Sequence, residues 1–218
     1  MDINERLTRQ AASDAVGHLG WRYVLGVLVT SVPVPSLERA AQITSAVISA
    51  AGDDADARLR LDVRGDRIEI IAGPAKGGVT GQDVALAQRV SAVLPEHGPG
   101  ARRTVQRLEI AIDAMDIPAV LPFWRAVMGY VDEYEDDSIM DPVGEGPAIW
   151  FQRMDEPRTQ RNRIHFDISV PHDEAADRIS AALAAGGVLV SDKEAPSFWV
   201  LADAEGNEAC VTTWQGRD

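Results

Sequence analysis

The sequence predicts an α+β protein in two halves, and three observations carry that prediction. A Pro- and Gly-rich break interrupts the chain near its middle. Helix-period and strand-period stretches alternate before it, and a tandem repeat follows it. The break is "PEHGPGARR", residues 95–103, where two prolines and two glycines within six positions stop any regular element. It divides the 218 residues into an expected first domain at 1–95, a linker at 96–104 and a second domain at 105–218.

The first half opens with a helical pattern, "LTRQAASDAVGHLG", whose Gly20 suits a helix end. "WRYVLGVLVTSV" has strand composition and is expected as one strand. In "SLERAAQITSAVISAAG" Ser36 is the candidate N-cap. Leu37, Ala40, Ala41, Ile43, Val47 and Ile48 lie along one side, and Gly52 marks the stop. "ARLRLDVRGDRIEIIA" alternates polar and apolar residues across a Gly-Asp turn, as a hairpin does. "TGQDVALAQRVSAVL" closes the half as a helix capped by Thr80. The order α-β-α-β-β-α implies an α/β sandwich.

Composition narrows the function classes. With 45% hydrophobic residues the chain can build a core. Its 21 basic against 34 acidic residues give a net charge of -13, a surface that repels nucleic-acid backbones and anionic lipid. Neither partner is expected. One cysteine excludes an internal disulfide framework. No signal core opens the chain, and no run approaches the roughly 18 apolar residues of a membrane span. A cytoplasmic protein is expected.

The first half, through "LGW", "DVRGDRIEI" and "GGVTGQDVALAQRV", resembles the pterin-4a-carbinolamine dehydratase family over residues 7–94. The resemblance implies an active site of a His-His-Pro triplet and a later histidine. Here the triplet positions read Asp53, Asp54 and Ala55, and Pro74 stands near the later one, before Gly78. The imidazoles are absent, so pterin dehydratase activity is not expected. His18 reads as a solvated helix residue. This half is expected to be a scaffold, an oligomerisation unit driving a homodimer, or a ligand site of altered chemistry.

The second half repeats itself. "LEIAIDAMDIPAVLPFWRAVMGY" and "IHFDISVPHDEAADRISAALAAGG" each run from an alternating strand through a polar turn into a helix ending at glycine. Glu109 precedes Asp116 by seven residues, as His165 precedes His172. "SIMDP" and "PAIWFQRM" supply short strands in the first unit. "VLVSD", "SFWVLAD" and "EACVTTW" do so in the second. Both units read β-α-β-β-β.

Through these stretches and the turn "LADAEGNEACV", residues 105–214 resemble the vicinal-oxygen-chelate superfamily, in particular its glyoxalase and bleomycin-resistance-like members. The resemblance implies paired βαβββ modules forming a cup with a ligand inside. Strand alternation supports a site independently. Glu109, Ala111 and Asp113 share one face of the first strand, and His165, Asp167 and Ser169 share one face of its repeat. Trp150, Gln152 and Met154 fall together in another strand, and Glu208, Cys210, Thr212 and Trp214 in the last.

Carried over residue by residue, the superfamily's metal positions land on Glu109, Gln152, His165 and Cys210. Cys210 stands where a carboxylate is usual, and Glu208 on the same face is a substitute or a base. A divalent zinc, nickel or manganese ion is the implied cofactor. Each residue also has a plain structural reading. His165 can be a hydrogen-bonded strand residue, Glu109 a partner of Arg163 or Arg161, Gln152 a polar wall residue, and Cys210 a small buried hydrophobe. Trp150, Trp199 and Trp214, with Asp167, are the candidate ligand contacts, the tryptophans by stacking or as core. Asp203, Gly206 and Asn207 read as turn residues. "RMDEPRTQRNR", residues 153–163, offers four arginines, as an anion clamp or a solvated crossover. Asp136, Asp137 and Asp141 read as a solvated turn rather than a calcium loop.

The implied activity is metal-dependent lyase or isomerase chemistry on a small metabolite through an enediolate-type oxyanion, with Glu109 or Glu208 carrying the proton. The alternative is a metal-free protein that sequesters a small ligand.

Overall fold

In the computed structural model the described residues are 3–73, 78–94, 105–118, 121, 130–133, 137–156, 164–184, 187–202 and 208–217. The chain separates into two units, Met1–Val105 with Arg217–Asp218, and Gln106–Gly216. The linker expected at 96–104 lies outside the described residues, as does Pro74.

The first unit packs helices on a four-stranded antiparallel sheet. Helix α1 (Arg9–Gly17) begins at Thr8, whose hydroxyl accepts from Ala11 N–H. Strands β1 (Arg22–Val24) and β2 (Val27–Pro33) pair antiparallel. The single strand expected here is therefore a hairpin. Leu25 and Gly26 both take positive φ, 49° and 76°, the two-residue turn whose twist suits paired strands. The apolar run concealed that turn because only one of its two residues is glycine.

Helix α2 (Leu37–Ala51) starts where Ser36 Oγ accepts from Arg39 N–H and stops at Gly52, φ 60°. A short 3-10 turn (Gly52–Asp54) and α3 (Ala55–Arg58) lead into β3 (Leu59–Val63) and β4 (Arg67–Ala72). Helix α4 (Gly81–Ser91) opens with a reciprocal cap between Thr80 and Asp83. The sheet order is β1-β2-β4-β3. Along β4, Ile68, Ile70 and Ala72 are buried while their neighbours are half-buried, so alternation turns one face into the core. Trp21, Leu28, Val47, Leu86 and Val90 complete it, and Trp21 Nε1–H donates to Ser91 Oγ at 2.8 Å.

Among the described residues the strands of the second unit are β5 (Arg107–Ala114), β6 (Val131–Asp132), β7 (Ser138–Met140), β8 (Ala148–Arg153), β9 (Ile164–Ser169), β10 (Val188–Ser191), β11 (Phe198–Ala202) and β12 (Glu208–Thr212). They form one eight-stranded sheet of order β10-β11-β12-β9-β5-β8-β7-β6. Helix α5 (Ala175–Ala184) joins β9 to β10. Most of the helix expected after β5 lies outside the described residues.

The order reads alike from both edges. Strand β5 pairs parallel with β8, β9 pairs parallel with β12, and β5 meets β9 antiparallel in the centre. Glu109 faces Asp167 and Ala111 faces His165 on either side of the Ile110–Phe166 pair. Glu109 and His165, matched by the sequence repeat, exchange places about that pair.

One face of the sheet is apolar. Ile112, Ala114, Ile117, Ile139, Ile149 and Phe151 cluster on one half. Val170, Ala175, Leu201 and Val211 cluster on the other, against Ile179 and Ala182 of α5. The period of two then sends the intervening side chains to the opposite face. Among the described residues no helix is long and apolar enough to cross a membrane.

Candidate functional site

The polar face of the second sheet gathers its charged groups by strand register. Cross-strand partners share a face, with Cβ atoms about 4.5–5.5 Å apart. Asp167 lies between Glu109 of β5 and Cys210 of β12. His165 lies beside Ala111, which has Trp150 on its other side. Asp113, one side-chain repeat beyond Ala111, is beside Gln152. The small side chain of Ala111 separates two large rings, and Trp150 stands edge-on to His165 with centroids 6.3 Å apart at 88°.

His165 sits between two aspartates. Its Nε2 is 3.6 Å from Asp167 Oδ1, and its Nδ1 is 4.0 Å from Asp113 Oδ1. Asp113 is 5% and Asp167 6% exposed, so both carboxylates are largely withdrawn from water. Cys210 is 7% exposed. One ligating atom each from His165, Asp167 and Cys210 lie within 4.8 Å of one another.

The donor set fits a divalent cation. Ligands about 2.0–2.3 Å from a tetrahedral ion lie roughly 3.3–3.8 Å from one another. The His165–Asp167 separation of 3.6 Å is already in that range, and the Cys210 sulfur lies within 4.8 Å of both ligating atoms. Asp113 stands at the far nitrogen of the imidazole, where a carboxylate orients a metal-binding histidine.

The other expected site residues are distributed as follows. Glu109 is half-buried on the same face, across from Asp167. Glu208 is half-buried on β12, two residues before Cys210. Gln152 is exposed and faces Asp113. In the repeat it corresponds to Thr212, which faces Ser169. The position matching Cys210 in the first half is Trp150, next to Ala111. The resemblance put Gln152 and Cys210 among the metal positions, and pairing between strands puts Gln152 one side-chain repeat beyond the place that matches Cys210.

The three tryptophans part company. Trp150 is on the polar face beside His165. Trp199 packs on the apolar face against the cluster of Val170, Leu201 and Val211. Trp214 lies beyond the end of β12, 8% exposed, and its Nε1–H donates to His172 Nδ1 at 3.1 Å. His172 and Asp113 were not among the expected site residues. Strand alternation had already put Asp113 on the face of Glu109, which was the available signal.

Asp203, Gly206, Asn207, Asp136 and the arginines at 158, 161 and 163 lie outside the described residues. Asp141 caps its own loop, accepting from the N–H groups of Gly146 at 2.7 Å and of Val143 and Glu145 at 3.0 Å. Those backbone donors, Gly146 first, hold its carboxyl below the usual range.

In the first unit, Asp54, the middle of the three positions matched to the dehydratase triplet, is in an ion-pair network. Asp54 accepts from Arg89 and from Gln82 Nε2, and Arg89 also reaches the carbonyls of Ala50 and Ala51. Nearby, Arg58 meets Asp83 at 2.7 Å, and Asp83, wholly buried, also caps Thr80.

Among solved structures, the chain is similar to a transcriptional coactivator/pterin dehydratase from Brucella melitensis. Identity is 19%, over 42% of this chain and 100% of that one, with a TM-score of 0.36. It is also similar to a glyoxalase/bleomycin resistance protein/dioxygenase superfamily member from Vibrio splendidus 12B01, at 15% identity over 50% and 99%, TM-score 0.35. A third is an NAD-dependent benzaldehyde dehydrogenase from Legionella pneumophila, at 6% identity over 49% and 97%, TM-score 0.37. No curated protein matches the chain. Residues 109–212, nearly the whole of the second unit, match the family model of the glyoxalase-like domain.

Proposed function

We propose that the second unit is a glyoxalase-like enzyme domain of paired modules, with divalent-metal-dependent lyase or isomerase chemistry on a small metabolite. The observation that carries this reading is the convergence of His165, Asp167 and Cys210 on one sheet face. The match of residues 109–212 to the glyoxalase-like domain gives it context. A divalent cation bound there would polarise a substrate oxygen and stabilise negative charge developing on it.

The chain's own residues supply the rest. His165 and Asp167 would hold the cation, and Asp113, 4.0 Å from His165 Nδ1, would orient the imidazole from its other side. Glu109, on the neighbouring strand across from Asp167, carries the proton, with Glu208 as the second carboxylate of the face. Trp150 walls the site beside His165. The first unit acts as a scaffold, its buried Asp83 engaged by Arg58 and its half-buried Asp54 by Arg89.

The metal-free, ligand-stacking reading is weaker because two of its three tryptophans are engaged elsewhere, Trp199 against the apolar cluster and Trp214 with His172. Elemental analysis of the purified, tag-free protein beside His165→Ala separates the two readings. The expected result is about one equivalent of divalent metal per chain, lost in the variant. No metal in either protein after reconstitution would sink the metalloenzyme reading.

A further inference from the structure

We infer that Cys210 binds the cation as a thiolate, making this a site for a thiophilic divalent metal of the zinc, cobalt and nickel class rather than for magnesium, calcium or manganese. The inference deepens the function proposed above and rests on a cation being held at His165 and Asp167.

Geometry comes first. Parallel pairing sets Cys210 directly beside Asp167, and the antiparallel pair on its other side is Val200. The thiol therefore has a carboxylate neighbour on one flank and an apolar one on the other. Its sulfur is close enough to the His165 and Asp167 ligating atoms to share one ion with them. The strands fix this arrangement: a one-residue slip of β12 would put Ala209 or Val211 in the place of Cys210.

Chemistry then selects the metal. Magnesium and calcium take sets of six or more oxygen ligands, and an imidazole and a sulfur among three donors suit neither. Manganese sits lowest in the first-row affinity order and favours oxygen. Zinc accepts mixed nitrogen, oxygen and sulfur ligands in four-coordinate geometry, and three protein donors leave one position open for a substrate oxygen. When the metal–sulfur bond forms, the thiol gives its proton to solvent and no electron is transferred.

The test uses the full-length protein, stripped with a chelator and titrated with cobalt(II), as wild type, Cys210→Ser and His165→Ala. The wild type is expected to show a near-ultraviolet sulfur-to-cobalt charge-transfer band as well as visible ligand-field bands. Cys210→Ser is expected to lose the charge-transfer band and keep weaker visible bands. Its zinc affinity should fall by roughly 100-fold while its manganese affinity changes by less than about threefold. Visible bands without the charge-transfer band in the wild type would overturn the thiolate inference and leave the metal site standing. No cobalt binding by folded wild-type protein would overturn both. If Cys210→Ser does not fold, as read by circular dichroism, the wild-type spectrum alone decides.

Discussion

The two units handle buried charge in different ways. In the first, Arg58 closes on the wholly buried Asp83 to 2.7 Å, while nearer the surface the half-buried Asp54 pairs with the exposed Arg89. In the second, His165 stays 3.6 and 4.0 Å from the aspartates on either side of it. A purely structural ion pair closes to hydrogen-bonding distance because only direct contact offsets the cost of desolvation. In the second, His165 and Asp167 are successive side chains on one face of the same strand, and their 3.6 Å separation suits ligands around an ion. The first arrangement is consistent with a scaffold and the second with a site.

Substitutions can break this comparison, beginning with the largest effect. Arg58→Met leaves the buried Asp83 carboxylate without its guanidinium and should cost about 2–4 kcal/mol, somewhat reduced because Arg58 is partly exposed. Chemical denaturation checks this, and cobalt binding should be unchanged. A loss of cobalt binding with the fold intact would erase the distinction between the units. Asp113→Asn should do the reverse. Metal affinity is expected to fall about 10- to 100-fold with little change in the denaturation midpoint, as measured by competition with a chromogenic chelator. If stability falls instead, Asp113 belongs with the structural charges.

Trp214→Phe removes the donor to His172 Nδ1 and should cost about 1 kcal/mol, with metal content unchanged. That result would put the second unit's other histidine on the structural side. The smallest effect is expected at Asp141, whose carboxyl is held below its usual range by backbone donors, Gly146 first. A carboxyl whose folded pKa is depressed stabilises fully above the ordinary value near 3.9, and that stability is lost as pH falls toward the folded value. The melting-temperature difference between wild type and Asp141→Asn should therefore be constant near neutrality and shrink below about pH 4. A difference that does not vary with pH would remove the charge from the explanation.

Much of the local structure was legible in the chain. The Ser36 and Thr80 caps, the Gly52 stop and the turn between β3 and β4 follow from residue chemistry that acts over a few positions. The β1–β2 turn did not show, because Leu25 adopts a positive φ that nothing in an apolar run announces. The site was partly legible. Alternation put Glu109 and Asp113 on one face and His165 and Asp167 on another, but it could not bring the two faces together.

The sequence by itself determined which side chains share a face of each strand, because the period of two belongs to the backbone. It also determined that the second half repeats. Only the tertiary structure decided which strands are neighbours and in what register. The central β5–β9 pairing put Glu109 across from Asp167, and the parallel β9–β12 pairing put Cys210 beside it. The register also put Gln152 next to Asp113 rather than in the place matching Cys210. Register depends on burying two apolar faces at once, and that is a property of the whole sheet rather than of any one segment.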